Sequence, residues 1–177
     1  KNEACMGNLL CVAAAFAAAT PPPTQPSAHA VHLVFLSEGY TTRASFDADV
    51  ARLSAEVFTS PDAAFYAVSP LLQIHAVYVP SRESGVGFEG AGDTAFRLYR
   101  EDRTLRSILP SRDSYTKAKR LATAAVPGYN FAVILVNTPF YGGLGDEIAI
   151  VSASPTSGAV ALRHELGHVF ADMGEEY

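Results

Sequence analysis

The alternation of short apolar runs with longer amphipathic stretches is what most constrains the fold of this chain. Four runs are rich in β-branched residues and bounded by Gly, Pro, Ser or Asn, which is typical of buried strands. They cover residues 31–36, 74–79, 131–136 and 148–151. Residues 45–58 and, more weakly, 114–126 have helical periodicity. Because parallel strands need a crossover long enough to hold a helix, we predict an α/β sandwich with a mixed, mostly parallel sheet.

Composition fits one globular domain and excludes some partners. The chain has 177 residues, 49% of them hydrophobic, and a formal net charge of −5. Nucleic-acid surfaces need clustered positive charge, so we expect no nucleic-acid partner. Both cysteines, Cys5 and Cys11, lie near the start of the chain. The body of the chain therefore contains no disulfide.

The first thirty residues differ in composition from the rest of the chain. An apolar run at residues 9–19 is followed by three prolines and small residues, as in an export signal. An Ala-rich helix or a disordered terminus are the alternatives. The run is too short to span a bilayer, so we expect no integral membrane span. We predict a signal or disordered segment at 1–30, a domain at 31–177 truncated at its C-terminal end, and a secreted, periplasmic or cell-surface location. The oligomeric state is not predicted.

Two Gly-rich stretches follow predicted strands. They are residues 81–92 and 137–145. Loops on a rigid scaffold commonly carry binding groups, whereas Gly-rich turns also serve simply to reverse the chain. Both interpretations stay open.

The strongest chemical motif is His-Glu-x-x-His near the C-terminal end of the sequence. It consists of His164, Glu165 and His168. On a helix, residues four apart project from the same side, so both imidazoles can bind one zinc ion. The carboxylate of Glu165, offset around the helix, can then act as general base toward a metal-bound water.

The helical wheel separates a core face from the histidine face. Leucine, valine and methionine side chains form one apolar stripe, roughly opposite the two histidines; the stripe consists of Leu162, Leu166, Val169 and Met173. Ser157 is placed to cap the start of this helix, and Gly174 to end it with a positive φ. The wheel therefore predicts a histidine face that lines a cleft.

A catalytic zinc ion normally takes three protein ligands and one water. On a continuing helix Glu175 would lie too far from His168, so the chain must turn first, and Gly174 offers the place. We prefer Glu175 as third ligand, with Glu176 as the alternative, while Asp172 is poorly aimed. Ala171 and Gly174 stand where the metzincin pattern has Gly and His, which excludes that signature.

From residue 32 onward the chain resembles the IgA-protease-type zinc metallopeptidases. The resemblance covers several short motifs in the family's order besides the zinc helix. They are Leu36-Ser-Glu-Gly-Tyr-Thr41, Val79-Pro-Ser-Arg-Glu-Ser-Gly85, Asp93-Thr-Ala-Phe96, Ile134-Leu-Val-Asn-Thr138, Tyr141-Gly-Gly143 and Glu175-Glu-Tyr177. The sequence departs from the family where Ser37-Glu38 replaces Gly-Asp, Ala171 a common Gly, and Glu175 the customary Asp.

The resemblance implies a zincin-like three-layer fold and a zinc-dependent endopeptidase with a polypeptide substrate. The implied ligands are His164, His168 and a downstream carboxylate. Glu165 would take a proton from water and pass it to the leaving amine. Tyr177 is a candidate for stabilising the oxyanion, with a packing role as the alternative. No other cofactor is expected.

Other functions and the substrate stay open at this point. A non-peptidase zinc hydrolase, a zincin whose third ligand lies on a later helix, and a cell-surface binding module with a structural or vestigial zinc site are the alternatives. The Gly-rich loops and a sheet edge near the zinc helix suggest that an extended polypeptide lies alongside a strand. The sequence does not identify the protein that is cut.

Overall fold

The fold is taken from a computed structural model of the chain. It describes residues 30–63, 65–90, 92–102, 106–145, 147–171 and 174. The predicted signal, apart from Ala30, therefore lies outside the described residues, and the boundary at residue 31 stays a prediction. Among the described residues, no helix is both long enough and apolar enough to cross a membrane.

Strands and helices alternate along the chain as the sequence pattern predicts. The strands are β1 Val31–Glu38, β2 Leu72–Val77, β3 Gly87–Phe88, β4 Tyr99–Arg100, β5 Phe131–Val136, β6 Gly143–Leu144 and β7 Ala149–Ser152. The helices are α1 Arg43–Ser54, α2 Ser114–Ala125 and α3 Gly158–Ala171. A short π-helix, Ala55–Thr59, and a short 3₁₀ helix, Tyr66–Leu71, connect α1 to β2.

The central sheet is mixed and mostly parallel, which confirms that part of the predicted fold. Its five strands lie in the order β2-β1-β5-β7-β6. All neighbours are parallel except the edge strand β6, which runs antiparallel to β7. β3 and β4 form a separate parallel pair. These two strands and β6 have only two residues each, too short for a period-2 pattern to show in the sequence.

Both faces of the sheet are covered by apolar side chains. Leu33 and Phe35 of β1 pack on the side of α1 and α3, while Val34 and Leu36 pack on the side of α2. All four side chains are fully buried. The sequence of a parallel strand that is buried on both faces is a continuous apolar run. For this reason the sequence predicts β1.

Several predicted boundaries differ from the structure, and two of them have a clear cause. β2 ends at Val77 rather than at residue 79, because the Ser37 hydroxyl replaces the strand ladder there. It accepts a hydrogen bond from the Val79 N–H at 2.7 Å and donates to the Val79 carbonyl at 2.9 Å. The first helix begins at Arg43, two residues before the predicted start, since the side chain of Thr42 caps it by accepting from the Ser45 N–H.

Two glycines at the carboxyl ends of the strands bring two loops into direct backbone contact. The Gly85 N–H donates to the Gly39 carbonyl at 3.0 Å. Gly39 has a φ of +71°, and a Cβ at this position would lie 1.8 Å from the Gly85 carbonyl oxygen. Only glycine therefore allows this contact.

We expect Gly39→Ala to destabilise the protein by at least about 3 kcal/mol, because the new methyl group meets the Gly85 backbone as well as adopting an unfavourable φ. Gly128→Ala is the matched control. Gly128 has a φ of +77° with open space around it, so we expect only about 1–2 kcal/mol there. Urea unfolding curves measure both changes, and equal losses would contradict the proposed backbone clash.

The buried carboxylate of Glu38 holds residues 94–98 in place. Glu38 is fully buried at the end of β1. Its oxygens accept hydrogen bonds from the Thr94 hydroxyl at 2.5 Å, the Phe96 N–H at 2.6 Å and the Leu98 N–H at 2.8 Å. Burial raises the pKa of Glu38, and the three donors act in the opposite direction.

Replacing Glu38 by Gln tests this arrangement. In glutamine, an NH₂ group replaces one of the two carboxylate oxygens and faces a hydrogen-bond donor of the protein. We therefore expect Glu38→Gln to lower the free energy of unfolding by about 1–3 kcal/mol. Glu56→Gln, on an exposed side chain, is the control and is expected to change stability by less than about 0.5 kcal/mol. Equal urea midpoints for the two variants would contradict the role given to Glu38.

Candidate metal centre

The rotation of α3 is set by its apolar face. Leu162 and Leu166 have no exposed surface and belong to the core cluster that includes β7. Val169 is half-buried against the same cluster. His164 is exposed and His168 is half-buried. The core face and the histidine face are therefore distinct, as the helical wheel predicts, while Met173 lies outside the described residues.

α3 begins at Gly158, directly after Ser157 as predicted, but a cap by the Ser157 side chain stays a prediction. Ser157 precedes the helix, its carbonyl accepts from the Ala161 N–H, and its hydroxyl donates to Ser154 Oγ at 2.9 Å. Gly174 does not have the positive φ predicted for a terminator. That prediction is wrong, because glycine permits a left-handed conformation without requiring it. Ala171 is the last residue assigned to α3, and residues 172 and 173 lie outside the described residues.

The two imidazoles of α3 face each other. His164 Nε2 and His168 Nε2 are 3.1 Å apart, and the ring planes are inclined at 85°. A tetrahedral zinc ion 2.0–2.1 Å from two nitrogens would separate them by about 3.3–3.4 Å. The observed separation is within a few tenths of an ångström of that value. The two rings therefore fit a zinc ion as neighbouring ligands.

Glu165 completes a cluster with the two histidines. One potential ligand atom from each of the three residues lies within 4.8 Å of the others. Glu165 is only 7% exposed, unlike His164 on the same turn. Its carboxylate is thus held at the inner side of the cluster, where it could serve either as a base beside the metal or as a ligand.

Two glycines of the second Gly-rich segment make room for this carboxylate. A Cβ on Gly143 would lie 2.4 Å from Glu165 Oε1, and a Cβ on Gly145 would lie 2.7 Å from Glu165 Oε2. The Gly145 position is also 3.0 Å from His168 Cδ2. The sequence marked residues 137–145 as a candidate binding loop, and part of that segment, β6 with Gly145, lies against the cluster.

β6 is the sheet edge next to the histidine helix, but this edge is partly occupied. The Gly143 N–H donates to the Arg106 carbonyl at 3.3 Å, and Ser107 forms an isolated parallel bridge with Gly143. An incoming polypeptide cannot pair with the Gly143 N–H while Arg106 stays in place. Strand addition, if it occurs, must therefore avoid Gly143.

The two Gly-rich segments meet at a cavity of about 470 Å³. Ser84 to Phe88 form one wall and Asn137 to Phe140 the other, with Arg100 between them. The cavity does not include the histidine pair. Residues 137–145 therefore contribute to two neighbouring places, the cavity at their beginning and the Glu165 carboxylate at their end.

The predicted third ligand cannot be placed. Glu175, its alternative Glu176, and Tyr177 lie outside the described residues, as does Asp172. Ligation by Glu175 and a role for Tyr177 in stabilising an oxyanion stay predictions.

Sequence reasoning missed Arg100, which the structure places beside the site. Its side chain is 5% exposed, and Nη2 donates to the Phe140 carbonyl at 3.3 Å and to the Tyr141 carbonyl at 3.0 Å. Burial lowers the pKa of this guanidinium. A single arginine in the two-residue strand β4 gives no sequence signal, since its partners are backbone carbonyls about forty residues away.

Comparison with known proteins gives one family. A family model described as IgA Peptidase M64 matches residues 22–177. Curated proteins give no match to the chain. The match covers most of the sequence and includes the strands, both Gly-rich segments and α3 with its histidines. The chain belongs to the IgA peptidase M64 family.

Proposed function

We propose that this chain is a zinc-dependent endopeptidase with a zincin-like site. The observation that carries the proposal is the pair of facing Nε2 atoms, 3.1 Å apart on the solvent side of α3, with the Glu165 carboxylate beside them. This is the only group of its kind among the described residues. Membership of a peptidase family supports peptide-bond hydrolysis as the reaction.

The metal is zinc in this proposal, held by His164, His168 and a downstream carboxylate, for which Glu175 is preferred. Imidazole nitrogens and carboxylate oxygens are the ligands of hydrolytic zinc sites, which also keep one position open. When bound, zinc polarises the scissile carbonyl and makes water a stronger nucleophile.

Glu165 moves the proton in the reaction. Its carboxylate accepts a proton from the attacking water, and the water oxygen forms a bond to the carbonyl carbon. The same carboxyl group then donates that proton to the nitrogen of the leaving amine as the C–N bond breaks. Close packing against Gly143 and Gly145 keeps the carboxylate in position for both transfers.

The substrate is a polypeptide, and the protein is exported. The family name refers to immunoglobulin A, but the residues of this chain give no reason to prefer that protein. Export is supported by the apolar run followed by prolines and small residues at the start of the sequence. An exported peptidase acts on proteins outside the cell or in the periplasm.

The decisive test measures metal content and cleavage of an unstructured protein together, on the full-length protein. We expect about one zinc per chain in both the wild type and Glu165→Gln. Cleavage should fall about 10²–10⁴-fold in Glu165→Gln, which is the usual contribution of a general base. Glu56→Gln is the control and should cut like the wild type. Equal cleavage by Glu165→Gln and the wild type would contradict the role of Glu165 as general base. Absence of zinc from the wild type would contradict the proposed metal site.

Gly145→Ala tests the packing of the site without changing any polar group. The added Cβ would push against Glu165 Oε2 and His168 Cδ2, so we expect zinc affinity to fall about tenfold and kcat to fall more than KM changes. Gly128→Ala, which strains the backbone far from the site, should leave zinc affinity unchanged. Competition with a coloured chelator measures the affinity, and an unchanged value in Gly145→Ala would contradict the close packing.

A further inference from the structure

The cavity between the two Gly-rich segments is lined mainly by apolar surface. Phe88 stands on one rim and Phe140 on the other, with 45% and 69% of their side chains exposed. Val86 and Pro139 add apolar surface between them. Among the described residues that line the cavity, none carries a carboxylate. This lining disfavours a basic ligand and favours an apolar one.

The walls of the cavity are held rigidly. Asn137 Nδ2 donates to the Gly39 carbonyl at 2.9 Å and to Ser84 Oγ at 3.1 Å, which ties one wall to the other. The buried Arg100 donates hydrogen bonds to the carbonyls of Phe140 and Tyr141 and so holds this part of the second wall. The cavity is therefore preformed, and the Phe140 ring remains at its mouth.

The same backbone leads from the cavity to the candidate catalytic carboxylate. Phe140 lies three residues before Gly143, whose Cβ position is 2.4 Å from Glu165 Oε1. Three residues span at most about 11 Å. An extended substrate has a similar length per residue. When its scissile bond lies at Glu165, we therefore expect the substrate to reach the cavity with a residue two to four positions from that bond.

We propose that this cavity binds a large apolar side chain of the polypeptide substrate, preferably an aromatic one, two to four residues from the scissile bond. This inference rests on the proposed peptidase function. The occupant packs between the rings of Phe88 and Phe140, which stand on opposite walls of the cavity. A volume of about 470 Å³ is in the range of pockets that enclose whole small ligands, so one aromatic side chain fits.

Cleavage profiling on the full-length protein tests the preference. The wild type, a Phe88→Ala/Phe140→Ala double variant and a Tyr66→Ala control are incubated with a peptide library, and cut bonds are identified by mass spectrometry. Tyr66 is 45% exposed and does not line the cavity. We expect the wild type and the control to enrich aromatic residues at one position two to four residues from the cut. The double variant should lose that enrichment, and its kcat/KM for an aromatic peptide should fall about 10–100-fold, with little change for the matched alanine peptide.

A binding measurement separates this inference from the proposed function. In the Glu165→Gln protein, saturation-transfer NMR compares N-acetyl-phenylalaninamide with N-acetyl-alaninamide. We expect transfer only to the aromatic amide, lost when Phe88 and Phe140 are also replaced by Ala. Cleavage without aromatic preference and without this transfer would overturn the inference and leave the peptidase function intact. Transfer without any cleavage by the wild type would overturn the function and leave an aromatic-binding cavity.

Discussion

The site depends on the burial of one face of α3. Leu162 and Leu166 have no exposed surface, and burying a leucine fully contributes about 1.5–3 kcal/mol. Turning the helix by one residue would expose these side chains and move the imidazoles toward the core. The burial of Leu162 and Leu166 therefore fixes the rotation of the helix, and with it the direction in which His164 and His168 point. A metal ion bound between them would have to supply little of the free energy that orders these two side chains.

The other surfaces of the site depend on glycine and on buried polar groups at the carboxyl ends of the strands. Gly143 and Gly145 let the backbone touch the Glu165 carboxylate, and the Gly39–Gly85 contact fixes the far wall of the cavity. Glu38 holds residues 94–98 by accepting three hydrogen bonds from them. The crevice beyond the carboxyl ends of parallel strands is the usual place for ligands in open α/β sheets. Here the helix, the edge strand and the cavity all adjoin that region.

Much of the scaffold was predictable because its signals are local. Residues 131–136 form β5 with the predicted bounds, and the spacing of His164 and His168 predicts the helical cluster that the structure contains. The short strands β3, β4 and β6 were missed because two residues carry no periodicity. Arg100 was missed because its partners are carbonyls distant in sequence. The positive φ at Gly174 was predicted wrongly because glycine permits a left-handed conformation without requiring it.

The contact between Arg106 and β6 also affects the solubility of the fold. Exposed strand edges are templates on which another molecule can extend the sheet, and natural proteins protect them by covering their free N–H groups. The hydrogen bond from the Gly143 N–H to the Arg106 carbonyl does this at the edge closest to the histidines. The sheet edge beside the candidate metal centre is thereby made a poor template for pairing between copies of the protein.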